Sequence, residues 1–325
     1  MGETSLLSIV MKQSSFSDLE YDHKKKVTRR ERFLQEMDSI VPWSLLVKPI
    51  KRAYPKGHTG RPPVALESML RIYFLQQWYG LSDPAAEDSL YDTESMRRFA
   101  GVELSAVPDE STICRFRHRL EKDGLTAKLF QKVEGYLSDH GLIVNEGTIV
   151  DATIIGAASS TKNQEKKRDP EMKQTKKGNQ WYFGMKAHVG TDTKGRVHSV
   201  VVTDASVHDS QIMDDLLHGE ELAVYGDKAY ANSEKRALAE ASGVEWRVNR
   251  KAKRGKKLNI ADRSFNRKSN RTRAKGEHAF RIVKDLWGYT KTRYRGIEKN
   301  ATQVFTLFAL ANLYLCRREL QALQD

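Results

Sequence analysis

The hydrophobic pattern of the chain changes at Gly147. Before this residue, apolar side chains recur at helical spacing, whereas the segment TIVDATII (148–155) is rich in β-branched residues. Such residues favour strands because they pack well on a pleated, buried surface. The change predicts an all-helical N-terminal region, residues 1–145, and a second region built around a sheet, residues 146–325.

The N-terminal region contains six candidate helices, several of them separated by Gly or Pro. In one of them Leu66, Met69 and Tyr73 share a face, which is the ordinary pattern of a helix packed in a core. Gly and Pro commonly mark the ends of helices, so the segments are read as separate helices. The candidates lie at 29–41, 43–54, 64–79, 84–99, 112–122 and 126–140.

The second region alternates strands with helices. A strand at 148–155 precedes a polar loop at 161–180 and a hairpin at 181–206. The next candidates are a helix at 208–218, a strand at 221–225, a helix at 232–242, a strand at 244–248, and helices at 271–287 and 303–323. This order predicts a mixed sheet flanked by helices, which is an α/β fold.

Positive charge is concentrated in one short stretch. The formal net charge is +13, and residues 247–275 contain 13 Lys or Arg against one acid, so this stretch contributes +12. Such a block can neutralise nucleic-acid phosphates and release their counterions. A solvated loop is the alternative, and a membrane-bound helix is disfavoured because no apolar stripe accompanies the charges. Nucleic acid is the favoured partner.

Other features of the sequence restrict the class of protein. No run approaches the roughly 18 apolar residues that a membrane span needs. The N-terminus lacks the basic start and cleavage site of a secretory signal. Cys114 and Cys316 are the only cysteines. We expect an intracellular, soluble protein with neither a disulfide framework nor a thiolate metal site.

Three carboxylates are candidates for a catalytic site. Asp151 lies inside the buried strand 148–155, where it needs either a hydrogen-bond partner or a cation. Asp227 follows a second apolar strand, where it either contacts a ligand or caps a turn. Glu277 shares a helix face with Arg273 and Arg281, which is also the pattern of a surface salt-bridge ladder.

Taken together, the three carboxylates suggest a metal-dependent reaction. Two aspartates on strands and a glutamate on a later helix can converge on two Mg²⁺ ions. Such an ion pair activates a water or a 3′-hydroxyl and stabilises the departing oxygen in phosphoryl transfer. The spacing and residue types make this site plausible without establishing it.

Several long segments resemble the DDE transposases of bacterial insertion sequences, in particular the insertion-sequence-five group. The catalytic-region segments are GTIVDATIIGAASSTKNQEKKRDPEMKQTKKGNQWYFGMKAHVGTD (147–192), VYGDKAY (224–230) and RAKGEHAFRIVK (273–284). The resemblance extends to GRPPVALESMLRIYFLQQWYGLSD (60–83), PDESTICRFRHRLE (108–121) and RYRGIEKNATQVFTLFALANLY (293–314), so it covers nearly the full chain.

This resemblance implies a specific fold and activity. The expected fold is an RNase H-like catalytic domain with C-terminal helices, preceded by an all-helical domain that binds DNA ends and supports dimerisation. Asp151, Asp227 and Glu277 are the implied catalytic triad and the ligands of two Mg²⁺ ions, for which Mn²⁺ can substitute. The implied enzyme cleaves DNA at the terminal inverted repeats of its element and joins the 3′-hydroxyl to target DNA.

The resemblance also implies partners and a location. The partners are double-stranded DNA, as terminal repeats and as target, and a second copy of the chain as a homodimer on DNA. No membrane is involved, and the expected location is the bacterial cytoplasm at the nucleoid. The related signature Tyr-x₂-Arg-x₃-Glu-x₆-Lys matches at Arg273, Glu277 and Lys284, but Asn270 stands at the Tyr position.

Further candidates for DNA contact are basic and aromatic residues. They are Arg273, Arg281, Lys284, Lys176, Lys177, Arg115, Arg119 and Trp287. Ile113, Phe116 and Leu120 fall at helical spacing, so their burial would leave Arg115 and Arg119 on an exposed flank. Trp287 is ranked above Trp181 for base stacking, although core packing is the favoured interpretation for both.

His208 and Asp209 stand near the expected metal site. His208 is a candidate auxiliary residue, and Asp209 is expected to cap the helix that follows it. Two other functions stay open. One is a non-catalytic DNA-binding regulator derived from a transposase, and the other is an RNase H-like nuclease without strand transfer.

Overall fold

The structure is a computed structural model that describes residues 21–55, 62–252 and 255–324. Seven α-helices within these ranges precede the first strand. They are α1 (Arg29–Ile40), α2 (Trp43–Lys51), α3 (Leu66–Tyr79), α4 (Asp83–Asp92), α5 (Glu94–Ala100), α6 (Glu110–Lys122) and α7 (Leu125–Asp139). An all-helical N-terminal region is therefore confirmed for these residues.

The sequence explains several of the helix boundaries. α1 starts with a capping box, in which the Thr28 hydroxyl accepts from the Glu31 amide while the Glu31 carboxylate accepts from the Thr28 amide. This arrangement satisfies two amides that the helix itself cannot pair. The predicted helix at 84–99 is in fact two helices, α4 and α5, because Thr93 adopts an extended backbone between them.

A six-stranded mixed sheet follows the helices. Its strands are β1 (Thr148–Gly156), β2 (Lys173–Lys177), β3 (Gln180–Thr191), β4 (Val197–Asp204), β5 (Ala223–Tyr225) and β6 (Glu245–Trp246). β1 pairs antiparallel with β3, which pairs antiparallel with β2 and β4. β5 lies parallel to both β1 and β6, so β4 and β6 are at opposite edges. The predicted α/β class is confirmed.

Helical segments occupy most of the chain after β5. The α-helices are α8 (Ser233–Ala241), α9 (Ile260–Arg273), α10 (Glu277–Arg281), α11 (Ile297–Leu315) and α12 (Arg317–Ala322). A 3₁₀ turn, Ala274–Gly276, joins α9 to α10, and a π-helical turn, Ile282–Leu286, follows α10. The chain is thus helical almost continuously from residue 260 to 286.

Three expectations of local structure were wrong. β2 forms within the predicted polar loop, since its backbone pairs with the exposed end of β3. The predicted helix at 208–218 is replaced by two 3₁₀ turns, Asp209–Gln211 and Asp214–Leu216. Here the Asp209 carboxylate accepts from Lys186 Nζ instead of capping a helix. The second half of the basic block, for which a solvated loop was the disfavoured alternative, forms α9.

The helices and the sheet share one large hydrophobic core. Residues from every helix of the N-terminal region contribute to it, together with β1, β3 and α11. α11 also contacts α7 and β4, where the Asn312 amide group bonds to both backbone groups of Val197. A smaller core on the other face packs Val150, Val224 and Tyr230 together. Within the described ranges, no helix is both long and apolar enough to cross a membrane.

Candidate active site

β1 places Asp151 in the middle of the sheet, directly opposite Val189 of β3. One of its oxygens, Oδ1, accepts from the Ala152 amide at 2.9 Å. Burial raises the pKa of the Asp151 carboxyl, and the negative charges of Asp227 and Glu277 raise it further, while the Ala152 amide and Arg273 act in the opposite direction. The three carboxylates predicted from sequence are therefore electrostatic neighbours.

The parallel pairing of β1 and β5 aligns the two aspartates. Thr148 lies opposite Val224 and Ile149 opposite Tyr225. Continuing this register by two residues brings Asp227 level with Asp151, which it follows in sequence by 76 residues. Asp227 also caps the turn Lys228–Tyr230, because its Oδ1 accepts from the Ala229 amide at 2.6 Å. Asp227 therefore caps a turn, as the alternative interpretation predicted, and it also lies level with Asp151.

Gly276 brings Glu277 to the two aspartates. A Cβ atom on this glycine would lie 3.0 Å from Ile149 Cγ2 and 3.2 Å from Thr191 Oγ1. These distances are tighter than most Cβ contacts, so a larger residue would push the Ala274–Gly276 turn away from β1. The close approach puts Glu277, whose side chain is 64% exposed, at the mouth of the site.

Arg273 lies between the carboxylates. Its Nη2 is 3.7 Å from Asp151 Oδ2 and 3.9 Å from Glu277 Oε1. Its Nη1 donates to Asn270 Oδ1 at 3.2 Å, and Asn249 Nδ2 donates to the same oxygen at 2.8 Å. The Asn that replaces the Tyr of the related signature therefore orients the arginine.

The three carboxylates line one open cleft of about 560 Å³ together with basic side chains. Those basic residues are Lys177, Arg273, Arg281 and Lys284. The structure thus brings together four of the residues that were predicted to contact DNA. The shared face predicted for Arg273, Glu277, Arg281 and Lys284 is confirmed, although 3₁₀ and π turns interrupt the α-helix that carries it.

Lys284 joins this helical segment to β1. Its Nζ donates to Thr153 Oγ1 at 3.0 Å and to the Ile154 carbonyl at 2.9 Å. Burial lowers the pKa of the Lys284 amine, and the positive charge of Lys177 lowers it further. Lys284 therefore holds Glu277's helix against the strand that carries Asp151.

The carboxylates suit a divalent cation in their chemistry, although they do not form a compact cage. Among the described residues, no three His, Cys, Asp or Glu side chains lie close enough to hold one ion. Carboxylate oxygens are the ligands that Mg²⁺ and Mn²⁺ prefer. Asp227 Oδ2 and both Glu277 oxygens accept no hydrogen bond from the described part of the chain, so they are available to a cation.

The two tryptophans differ in exposure in the order opposite to their ranking for base stacking. Trp287 is only 6% exposed and packs edge-on against Tyr314, so the core-packing interpretation holds for it and its candidacy for DNA contact is corrected. Trp181 is 65% exposed, lies directly opposite Lys176 in the β2–β3 hairpin, and its ring centroid is 5.8 Å from that residue's Nζ. Helical spacing alone does not reveal which aromatic residues the core buries.

His208 does not line the cleft. Its exposed ring caps the following 3₁₀ turn, with Nδ1 2.8 Å from Ser210 Oγ, and its auxiliary role at the metal site stays a prediction. Sequence reasoning missed a buried cluster beside it. Lys186 Nζ is 2.9 Å from Asp209 Oδ1, and His188 Nδ1 is 3.9 Å from the same oxygen. Burial lowers the pKa of His188 to about 4, so its ring is neutral.

Arg115 and Arg119 lie on α6 away from the triad's cleft. Ile113, Phe116 and Leu120 are buried as predicted, and Arg115 is exposed. Arg119 is half-buried, with its guanidinium 5.8 Å from the Tyr54 ring centroid. The flank that carries these two arginines is therefore open to a partner.

Comparison with known proteins identifies the family. A family model described as "Transposase DDE domain" matches residues 144–313, more than half of the chain, and one described as "Transposase domain (DUF772)" matches residues 21–119. The chain therefore belongs to the DDE transposases. This pairing of domains is typical of insertion-sequence transposases of the insertion-sequence-five and insertion-sequence-four types.

One solved structure was also found to be similar. It is the synaptic complex of piggyBac transposase with hairpin DNA, matched over 89% of this chain and 73% of that chain, with 11% identity and a TM-score of 0.44. The family assignment does not depend on this structure, because it rests on the two family models. Membership of the family makes the protein a DDE-type DNA transposase with an RNase H-like catalytic domain. It also implies DNA binding and dependence on a divalent metal.

Proposed function

We propose that this transposase binds the terminal inverted repeats of its own insertion sequence, cleaves the DNA there and joins the freed 3′-hydroxyl to target DNA. The observation that carries the proposal is the alignment of Asp151 on β1 with Asp227, which lies two residues beyond the parallel strand β5, and the presence of Glu277 in the same basic cleft. Three carboxylates surrounded by Lys and Arg suit the chemistry of phosphodiesters.

The metal assignment forms part of this proposal. Asp151, Asp227 and Glu277 would hold two divalent cations, Mg²⁺ in the cell because of its abundance, with Mn²⁺ as a substitute. Bound cations supply an activated water or 3′-hydroxyl and stabilise the charge on the departing oxygen. Asp151 already needs a positive neighbour, since burial and two nearby carboxylates raise its pKa.

Basic residues of the cleft would hold the DNA backbone. Arg273 offsets the repulsion between Asp151 and Glu277, and it lines the cleft, where its guanidinium can contact a phosphate. Arg281 and Lys177 are exposed at the cleft wall, where they can contact flanking phosphates. Lys176 and Trp181 extend this surface along the β2–β3 hairpin.

The N-terminal region, residues 1–145, would recognise the transposon ends. Its α6 buries one apolar stripe and leaves Arg115 and Arg119 on the opposite flank, as a helix that reads a DNA groove requires. Two ends must be brought together for transposition, so we propose a homodimer on DNA. The protein would act in the bacterial cytoplasm, at the nucleoid.

Asp227→Asn provides the decisive test. Asparagine keeps the side-chain oxygen that caps the Lys228–Tyr230 turn, so the variant should fold, but it removes a charged ligand. On a plasmid that carries the element's ends, with Mg²⁺, we expect cleavage to fall at least about 100-fold, as when a group that stabilises transition-state charge is lost. EDTA should abolish cleavage by the wild type.

Asp215→Asn serves as the matched control, since Asp215 is exposed outside the cleft. The control should cleave like the wild type, and Asp227→Asn should still bind the ends. Equal cleavage by Asp227→Asn would contradict the triad. Binding without cleavage by the wild type would favour the regulator, and hydrolysis without joining would favour the nuclease.

A further inference from the structure

Helix α9 carries a row of arginines that the triad does not use. Arg263, Arg267 and Arg271 follow one another at every fourth position, so they lie on one face of the helix. All three are exposed and line an open groove of about 460 Å³ together with Asn266 and Asn270. The groove lies beside Arg273, at the end of the helix that leads to Glu277.

Within the described part of the chain, none of the three guanidinium groups has a hydrogen-bond or ion-pair partner. The only acid of the basic block, Asp262, is already paired with Arg250 at 2.6 Å. Like charges four residues apart destabilise a helix. The row is therefore unfavourable for the isolated protein, and an anionic partner would relieve it.

α9 is attached to the chain that follows β6 through side chains next to the arginine row and behind it. Ser269 Oγ donates to the Arg247 carbonyl, and Asn266 bonds to both backbone groups of Arg250, at 2.9 and 3.1 Å. The arginines therefore extend from a fixed helix. From Arg263 to Arg271 the helix rises about 12 Å. This length covers three to four phosphates of one DNA strand, which are spaced about 3.4 Å apart along the axis.

The position of α9 in the fold indicates which DNA it contacts. α9 is anchored beyond β6, at one edge of the sheet, whereas the N-terminal region packs through α11 against β4 at the other edge. Between these edges lie the central strand β1, which carries Asp151, and the end of β5, which Asp227 follows. Strand transfer requires a second duplex at the triad, in addition to the transposon end.

We propose that the α9 groove binds the phosphate backbone of the target duplex. This inference rests on the proposed function, in which the N-terminal region holds the transposon end. The row offers charge to phosphates, and the side-chain oxygens of Asn266 and Asn270 in the groove already accept hydrogen bonds within the protein. Recognition there is therefore independent of sequence, as target capture at many sites requires.

The test replaces Arg263, Arg267 and Arg271 with Gln in the full-length protein. A control replaces three exposed basic residues on other helices, Lys128→Gln, Lys299→Gln and Arg318→Gln, and so removes the same charge. The substrates are a terminal-repeat duplex with a free 3′-hydroxyl and an unrelated target plasmid, with Mg²⁺. We expect the ratio of joined product to bound end to fall about tenfold for the arginine variant and to stay constant for the control.

A second measurement is independent of catalysis. The binding constant for an unrelated duplex is measured at several salt concentrations. Loss of three phosphate contacts should reduce the slope of the logarithm of the binding constant against the logarithm of salt concentration by about 2.7. An unchanged slope would overturn the proposal. The proposal would also be overturned if the arginine variant lost binding to the terminal repeat to the same extent as it lost joining. If the wild type neither cleaves nor joins, the proposed function fails, and the salt slope still decides whether α9 binds DNA.

Discussion

Helices α6 and α9 use arginine in opposite ways. On α6, Arg117 is buried and pairs with Asp83 at 2.8 Å and with Glu121 at 2.7 Å, while its guanidinium lies 4.5 Å from the Tyr294 ring centroid. On α9, the row from Arg263 to Arg271 has no such partner among the described residues. A buried guanidinium therefore links α6 to its neighbours, whereas the unpaired row is available to bind.

The difference shows that the number of basic residues does not locate a binding surface. Arg117 contributes to the net charge as much as Arg267 does, but its charge is neutralised inside the protein. A buried guanidinium needs partners because desolvating an unpaired charge is costly. The pairing of each arginine, and not its charge alone, separates structural from binding residues.

The largest effect should follow from Arg117→Ala. Removal of one partner from a buried ion pair leaves Asp83 and Glu121 without their counter-charge, so we expect the free energy of unfolding to fall by about 3–5 kcal/mol. Arg115→Ala, two residues away and exposed, is the matched control and should change it by less than about 0.5 kcal/mol. Equal losses in urea denaturation would contradict the comparison.

A smaller effect concerns acid stability. Burial favours a higher pKa for Asp83, but hydrogen bonds from Arg117 and Gln76 outweigh it and hold the pKa below its usual value. This carboxylate therefore stabilises the fold above its unfolded pKa of about 3.9, and the contribution is lost as the pH falls below that value.

Asp83→Asn should remove this part of the acid dependence. Plots of unfolding free energy against pH should be shallower below about pH 4 for the variant than for the wild type. Asp88→Asn, on the exposed side of the same helix, gives the control. Parallel curves for Asp83→Asn and the wild type would show that Asp83 is not coupled to folding.

The smallest effect is expected for Arg267→Ala. This change removes one positive charge that lies four residues from both Arg263 and Arg271, and alanine is also a better helix former. The free energy of unfolding should therefore rise slightly, by up to about 0.5 kcal/mol. The gain should shrink in about 1 M salt, where charges are screened. A clear loss of stability would mean that Arg267 has an intramolecular partner.

Local sequence patterns predicted the parts of the site that local contacts determine. The β-branched run around Asp151 and the helix face from Arg273 to Lys284 both follow from periodicity within one segment. The resemblance supplied the triad, and the structure aligns its two aspartates. Their alignment depends on strand pairing between residues far apart in sequence.

The errors arose where distant contacts outweigh local preference. β2 is made of Lys, Gln and Thr and becomes a strand only because β3 offers it an edge. Asp209 follows the pattern of a helix cap, but Lys186 from β3 binds its carboxylate instead. Trp287 is buried by Tyr314 of α11, a neighbour that no spacing within its own segment indicates.

The register between β1 and β5 has a consequence for insertions and deletions. Side chains alternate between the two faces of a strand, so a shift of one residue would turn Asp151 away from Asp227. The chain between these strands, by contrast, contains surface turns that can change length without moving either carboxylate. Length variation in homologous enzymes should therefore concentrate at residues 157–172 and 205–222, and the strands themselves should keep their length.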